Sequence, residues 1–133
     1  MRAGRQEIRV PQLSPPISHY TDAVRCGQFL FISGCVSFDA SGQIVAKGDV
    51  VGQTRQALEN MAACLQAADM NFDNVVKVTV FLVDVNDRAA IDPVRRQFFG
   101  RARPSSTLIG VKALATPDLL VEIEAVAYDG HET

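Results

Sequence analysis

Val75-Val76-Lys77-Val78-Thr79-Val80-Phe81-Leu82-Val83 is the stretch on which the fold turns. β-Branched residues fill most of it, their stiff side chains suit a pleated backbone, and no Gly or Pro interrupts it, so it reads as a strand. Strand side chains alternate between the two faces of a sheet. Val76, Val78, Val80 and Leu82 then form an apolar set, and Lys77, Thr79 and Phe81 a mixed one. The same division recurs in the segment 119–128, where Val121, Ile123, Ala125 and Ala127 oppose Glu122 and Glu124. Segment 106–112 splits into Thr107, Ile109 and Val111 against Ser106, Leu108, Gly110 and Lys112. One face is expected against helices. The other, combining Phe81, Leu108, Val126 and Tyr128 with Lys77, Lys112 and Glu122, carries more large apolar residues than a solvated face does, which points to a subunit interface with polar pockets.

Working outward, Asp49 is a plausible N-cap for a helix reaching to about Asp69, with Val51, Leu58, Met61, Ala62, Leu65 and Ala68 recurring at helical spacing. Asp92 followed by Pro93 marks the start of a second helix ending near Phe99. Upstream, strands are expected at 20–25 and 29–33, joined near Gly27, and Gly42 suits a positive φ in the turn within 38–44. Residues 1–18, with Pro11, Pro15 and Pro16, form an irregular lead-in that includes a short strand at Ile8–Val10, and a short tail follows Tyr128. Repeats and interdomain linkers are absent, so residues 1–133 are expected to form one α+β domain.

Composition bounds the function. Hydrophobic residues make up 47 % and charged residues 21 %, a globular balance slightly richer in apolar side chains than a small monomer needs. A net charge of −2 argues against a phosphate-backbone binder, so no nucleic-acid partner is expected. No apolar run approaches the roughly 18 residues of a membrane span, and no apolar stretch follows Met1-Arg2-Ala3-Gly4-Arg5. A cytoplasmic protein without membrane attachment is the resulting expectation. Cys26, Cys35 and Cys64 lack CxxC or zinc-ligand spacing and read as small buried hydrophobes. With only His19 and His131 besides, no metal site is expected.

Several segments, in order, resemble the Rid superfamily of reactive-intermediate deaminases, the YjgF/UK114 type once labelled endoribonuclease L-PSP. They are Tyr20-Thr21-Asp22-Ala23-Val24, Gly27-Gln28-Phe29-Leu30-Phe31-Ile32-Ser33-Gly34, Gly48-Asp49, Gln53-Thr54-Arg55-Gln56-Ala57-Leu58-Glu59-Asn60, Val75 to Leu82, Asp84-Val85-Asn86-Asp87 and Val121 to Ala127. The resemblance spans about residues 18–128. It implies a chorismate-mutase-like domain, a mixed sheet backed by two helices, assembled as a barrel-like homotrimer with a cleft for a small organic metabolite at each subunit interface. It implies hydrolysis of enamines and imines such as 2-aminoacrylate, with no metal and no organic cofactor.

Tyr20, Ser33, Gly34, Asn86 and Glu122 stand where the family places cleft residues, Glu122 at the position credited with orienting the attacking water. The family's carboxylate-binding arginine belongs to a Pro-Ala-Arg-Ser/Thr segment that here reads Pro104-Ser105-Ser106-Thr107, with Ser106 in its place. A neutral hydroxyl does not replace a bidentate, charge-assisted contact. Ser106 is therefore either a hydrogen-bonding group for a less acidic ligand or a plain strand-end serine. Arg103, and more weakly Arg101, supplies the cation from a shifted position or is merely solvated. Glu122 serves the site or pairs with Lys77 or Lys112 across an interface; Glu124 reads as structural, His19 as an exposed loop residue, and Cys35 as bordering the cleft.

The function expected is a metal-free hydrolase, deaminase or tautomerase for a small enamine, imine or related conjugated intermediate. The missing arginine favours a substrate other than 2-aminoacrylate, a 2-aminomuconate-type ring-cleavage product being one option. The alternative is a non-catalytic metabolite-binding or chaperone-like protein. Ribonuclease activity, suggested by the old label alone, lacks a basic patch and a histidine pair.

Overall fold

Two amphipathic helices lie on one face of a single mixed sheet in the computed structural model, which describes residues 4–130. His131 and the first three residues fall outside that range. The strands are β1 (Gln6–Ile8), β2 (Ala23–Cys26), β3 (Phe29–Cys35), β4 (Val75–Leu82), β5 (Ser105–Gly110) and β6 (Val121–Tyr128); the helices are α1 (Val50–Ala67) and α2 (Arg88–Phe99). Sheet order is β1-β2-β3-β6-β4-β5, antiparallel throughout except for the parallel pair β4–β5, which α2 connects.

The Asp49 cap is present: its Oδ1 accepts from the Val51 and Gly52 amides at 3.1 Å, satisfying two of the amides that a helix start leaves without partners. From there α1 buries Leu58, Met61 and Leu65 completely against Leu30, Val80 and Ile123 of the core. Each such side chain contributes about 1.5–3 kcal/mol by leaving water. The helix stops at Ala67, two residues short of the sequence expectation, and Asp69 turns the chain away with φ +58°.

The expected start of α2 at Asp92-Pro93 is wrong by a turn. A 3-10 turn over Val85–Asp87 delivers the chain already helical, so α2 begins at Arg88 and Pro93 lies inside it. Pro93 cannot donate to the carbonyl four residues back, but that carbonyl belongs to Ala89, which is exposed to solvent. Burial of Ile91, Val94 and Phe99 outweighs the local signal, and Asp92, rather than capping, accepts from Arg96 Nε at 2.7 Å.

Two strand faces also differ from the sequence expectation. The β4–β6 register shifts between Val75 and Lys77, so Val75 enters the core while Val76 is 44 % exposed. A bulge of this kind moves every residue before it to the other face. In β5 the parallel register pairs Ser106 with Val78 and Leu108 with Val80, both core residues of β4. Leu108 therefore packs on the core, Ile109 takes the open face, and Ser106 is on the helix side. The open face nevertheless matches the expectation in kind, with Phe29, Phe31 and Ile109 at 41–47 % exposure beside Val126 and Tyr128.

Fully buried Gln53 joins helix to sheet. Its Nε2 donates to the carbonyls of Asp118 (2.9 Å) and Ala46 (3.3 Å), and its Oε1 accepts from the Leu120 amide at 2.8 Å. One side chain thereby fixes the β5–β6 connection. Gln53→Leu keeps the volume but leaves the half-buried Leu120 amide and the carbonyls of Ala46 and Asp118 without this partner; a loss of about 1–3 kcal/mol is expected in urea unfolding, from the three hydrogen bonds removed.

Candidate functional site

The site begins at an irregularity in β3. Ile32 pairs with Ala125 and Cys35 with Ile123, so three steps on β3 match two on β6 and the extra residue falls at Ser33-Gly34. Bulges re-aim side chains beside them. Here Ser33 is turned toward the segment before β2: its amide donates to the Asp22 carbonyl at 3.0 Å and its Oγ to the Thr21 carbonyl at 2.6 Å. Gly34 presents bare backbone, and the Glu122 side chain lies directly over it. A Cβ at residue 34 would fall 1.9 Å from Glu122 Oε2 and 2.9 Å from its Cγ. Glu122 can occupy this position only because residue 34 has no side chain.

Glu122 and Gly34 border a cleft of about 460 Å³. Cys35 lines it from the sheet, Asn60 and Cys64 from α1, and Leu119 from the β5–β6 connection that Gln53 fixes. Leu13, Ile17 and Tyr20 close another side. That lead-in is held in place by buried Asp22, whose Oδ2 accepts from Arg9 Nη1 and from the Val10 amide. Asn60 braces the wall by donating to the carbonyls of Val36 (2.9 Å) and Phe38 (3.0 Å).

The electrostatics are one-sided. Asp22, Glu122 and Glu124 line the cleft, and among the described residues no Lys, Arg or His does. Burial pushes the Glu122 carboxyl above the ordinary glutamate range, and the like charge of Glu124 pushes in the same direction. A group shaped this way holds its proton closer to neutrality than a solvated glutamate. The Cys35 thiol is raised well above its usual value, first by hydrogen bonding with Cys64 and then by burial, which makes it a poor nucleophile. No group of three or more His, Cys, Asp and Glu among the described residues is arranged to hold a metal ion.

Of the residues singled out in the sequence, Tyr20, Ser33, Gly34 and Glu122 meet in this cleft. Asn86, Ser106 and Arg103 do not line it within one chain. Asn86 sits in the 3-10 turn after β4 with its amide donating to Asp84 Oδ1 at 3.0 Å. Arg103 is exposed between α2 and β5, and Ser106 Oγ accepts from Arg95 Nη2 of α2 at 2.9 Å. His19 is exposed, Cys35 lines the cleft, and so does Glu124, whose sequence context reads as structural. Neither Asn60 nor Cys64 is read from the sequence as a cleft residue, although their i, i+4 spacing puts both on one helix face.

The family model described as Endoribonuclease L-PSP matches residues 11–129. A RutC family protein of Pyrococcus horikoshii is 43 % identical over 113 residues, 85 % of this chain and 89 % of that protein. The 2-iminobutanoate/2-iminopropanoate deaminase of Homo sapiens is 38 % identical, covering 95 % of this chain and 91 % of its own. Among solved structures, Escherichia coli TdcF with bound serine superposes with a TM-score of 0.84 at 34 % identity, over 92 % of this chain and 98 % of that one.

The contact between residues 34 and 122 generates a test. Gly34→Ala is expected to leave the fold intact, since Gly34 has no positive φ to lose. The Glu122 carboxyl must then swing out toward water, and its pKa, followed by carboxyl ¹³C NMR titration, should fall back toward the ordinary glutamate value. An unchanged titration would mean that the carboxyl stayed where it was.

Proposed function

Since the chain belongs to the Endoribonuclease L-PSP family, whose members include the Rid proteins, we propose that it is a hydrolase converting a small imine to a carbonyl compound and ammonia. Relatives bearing the name 2-iminobutanoate/2-iminopropanoate deaminase, from goat, mouse and human, support an imine as substrate. The single observation that carries the reading is Glu122: a partly buried carboxyl with a raised pKa, opening on a cleft of metabolite size.

The chemistry asks for one group that can take and return a proton. As carboxylate, Glu122 removes a proton from a water adding to the imine carbon; the carbon–oxygen bond forms as the π pair moves to nitrogen, which takes a proton from solvent. The protonated Glu122 then gives its proton to the amino nitrogen of the resulting carbinolamine. The carbon–nitrogen bond breaks, the hydroxyl oxygen closes the carbonyl as it returns its proton to solvent, and ammonia leaves. The sum is imine plus water to carbonyl plus ammonia. A pKa moved up toward the working pH suits both halves. The Ser33 hydroxyl proton is committed to the Thr21 carbonyl, so Ser33 offers the substrate only lone pairs, whereas the Tyr20 hydroxyl, which accepts a weak bond from the Ile17 amide at 3.4 Å, keeps its proton to donate.

A homotrimer is part of the reading. It is supported by the apolar open face, where Phe29, Phe31 and Ile109 stand at 41–47 % exposure. The second reading, a metabolite-binding protein without turnover, draws on a relative whose structure holds serine.

Glu122→Gln separates the two. It keeps shape but not proton transfer, and turnover of an imine generated in situ should drop roughly 10²–10⁴-fold. Stability should not suffer at neutral pH. A carboxyl whose folded pKa is raised favours folding fully below its unfolded pKa and loses that contribution as pH rises through the folded value, so the amide removes a penalty. Full activity in this variant would exclude Glu122 from the reaction and favour the binding protein. Sedimentation equilibrium at micromolar concentration should report about three chains, and a monomer would refute the assembly.

A further inference from the structure

Two thiols face the cleft, and the proposed reaction uses neither. Cys35 ends β3, Cys64 stands on α1, and both line the cleft. Backbone contacts bring them together. Asn60, one turn before Cys64 on the same helix face, donates to the carbonyl of Val36, the residue after Cys35, at 2.9 Å. The two thiols hydrogen-bond with each other, and Cys35 Sγ also donates to the Ser33 carbonyl at 3.4 Å. Both are buried, at 7 % and 1 % exposure. The third cysteine, Cys26 on β2, is half-buried and does not line the cleft.

The surroundings resist one state of this pair and not another. Cys64 itself, then burial, then the carboxylates of Asp22 and Glu122 oppose a thiolate at Cys35. A disulfide carries neither charge nor a polar hydrogen, so burial among acids does not oppose it. We propose that Cys35 and Cys64 form a dithiol that a small disulfide oxidises within the cleft to a Cys35–Cys64 bond, and that the acid lining of the cleft selects a cationic disulfide. Asp22, Glu122 and Glu124 line the cleft, and among the described residues no Lys, Arg or His does, so a positively charged reagent is concentrated there and an anionic one is kept out.

Because Cys35 holds its proton, the exchange starts at Cys64. The Cys64 sulfur, its proton lost to solvent, attacks one sulfur of the reagent RSSR and expels RS⁻. Cys35 then gives its proton to that RS⁻, attacks the Cys64 sulfur and expels a second RS⁻, which takes a proton from solvent. The sum is two protein thiols plus RSSR to one protein disulfide plus two RSH. Proximity favours the second attack over release of the mixed disulfide. The new bond fastens α1 to the end of β3, beside the bulge where Gly34 faces Glu122, and draws two walls of the cleft together. Turnover falls as a result. That consequence rests on the imine-hydrolase reading, and the disulfide itself does not.

The test uses the full-length protein carrying Cys26→Ala, with cystamine as the cationic probe and dithiodiglycolate as the anionic one. Peptide mapping of the wild-type chain repeats it should that variant fold poorly. Cystamine should leave a protein two hydrogens lighter, with no reagent retained, a Cys35–Cys64 cross-linked peptide, and both thiols restored by dithiothreitol. At low salt it should react about tenfold faster than dithiodiglycolate, and the difference should largely vanish in urea. Adding Cys35→Ala should trap cysteamine on Cys64, and adding Cys64→Ala should leave Cys35 unmodified. Imine turnover should fall on oxidation and return with dithiothreitol. Two free thiols after treatment, reagent retained on either cysteine of the intact pair, or a cross-link through another residue would overturn the dithiol. Equal rates for the two probes would overturn selection by charge, and an adduct on Cys35 in the Cys64→Ala chain would overturn the order of attack. Undiminished turnover in the oxidised protein would overturn the closing of the cleft. Absence of turnover before oxidation would instead refute the imine-hydrolase reading and leave the disulfide to be decided by mass.

Discussion

Helices cover this sheet on one side only, and most of what the molecule does follows from that constraint. Leu30, Val80, Leu82 and Ile123 turn toward α1 and α2 and are sealed from water. Because strand side chains alternate, the residues between them must stand on the uncovered side, whatever their polarity. Phe31, Val126 and Phe81 are there beside Glu122, Glu124 and Lys77. A face of that composition is neither a core nor a solvated surface. It suits contact with further copies of the chain and polar chemistry at the seam.

The cleft sits where the sheet departs from regularity, and its walls are fixed in different ways. Asn60 ties α1 to the carbonyls following β3, and Gln53 ties α1 to the loop preceding β6. The lead-in is held both by polar contacts centred on Asp22 and by Val10, which is buried in the core, while Tyr20 stands at 48 % exposure.

Legibility in the sequence followed the range of the interactions. The strands and α1 were readable because alternation, helical spacing and the Asp49 cap act within a few residues. Asp92-Pro93 misled for the same reason: the local signal was real, but burial of Ile91 and Val94 overrode it. The inward turn of Val75 and of Leu108 depends on register with a partner strand, which no single segment encodes. Glu122 was legible twice, through alternation and through family resemblance. Arg95 was not legible at all, since nothing in its own surroundings signals that it reaches Ser106 across the gap between α2 and β5.

The closeness of Glu122 to the bare backbone at Gly34 also bears on how this chain can diverge. A methyl group at residue 34 and a glutamate at 122 compete for the same space, so neither position is free to drift alone. Any lineage or engineered library that adds a side chain at 34 should show a shorter or re-aimed residue at 122, and the two sites should co-vary as a pair. A change of chemistry in this cleft would then enter through the glycine as readily as through the acid.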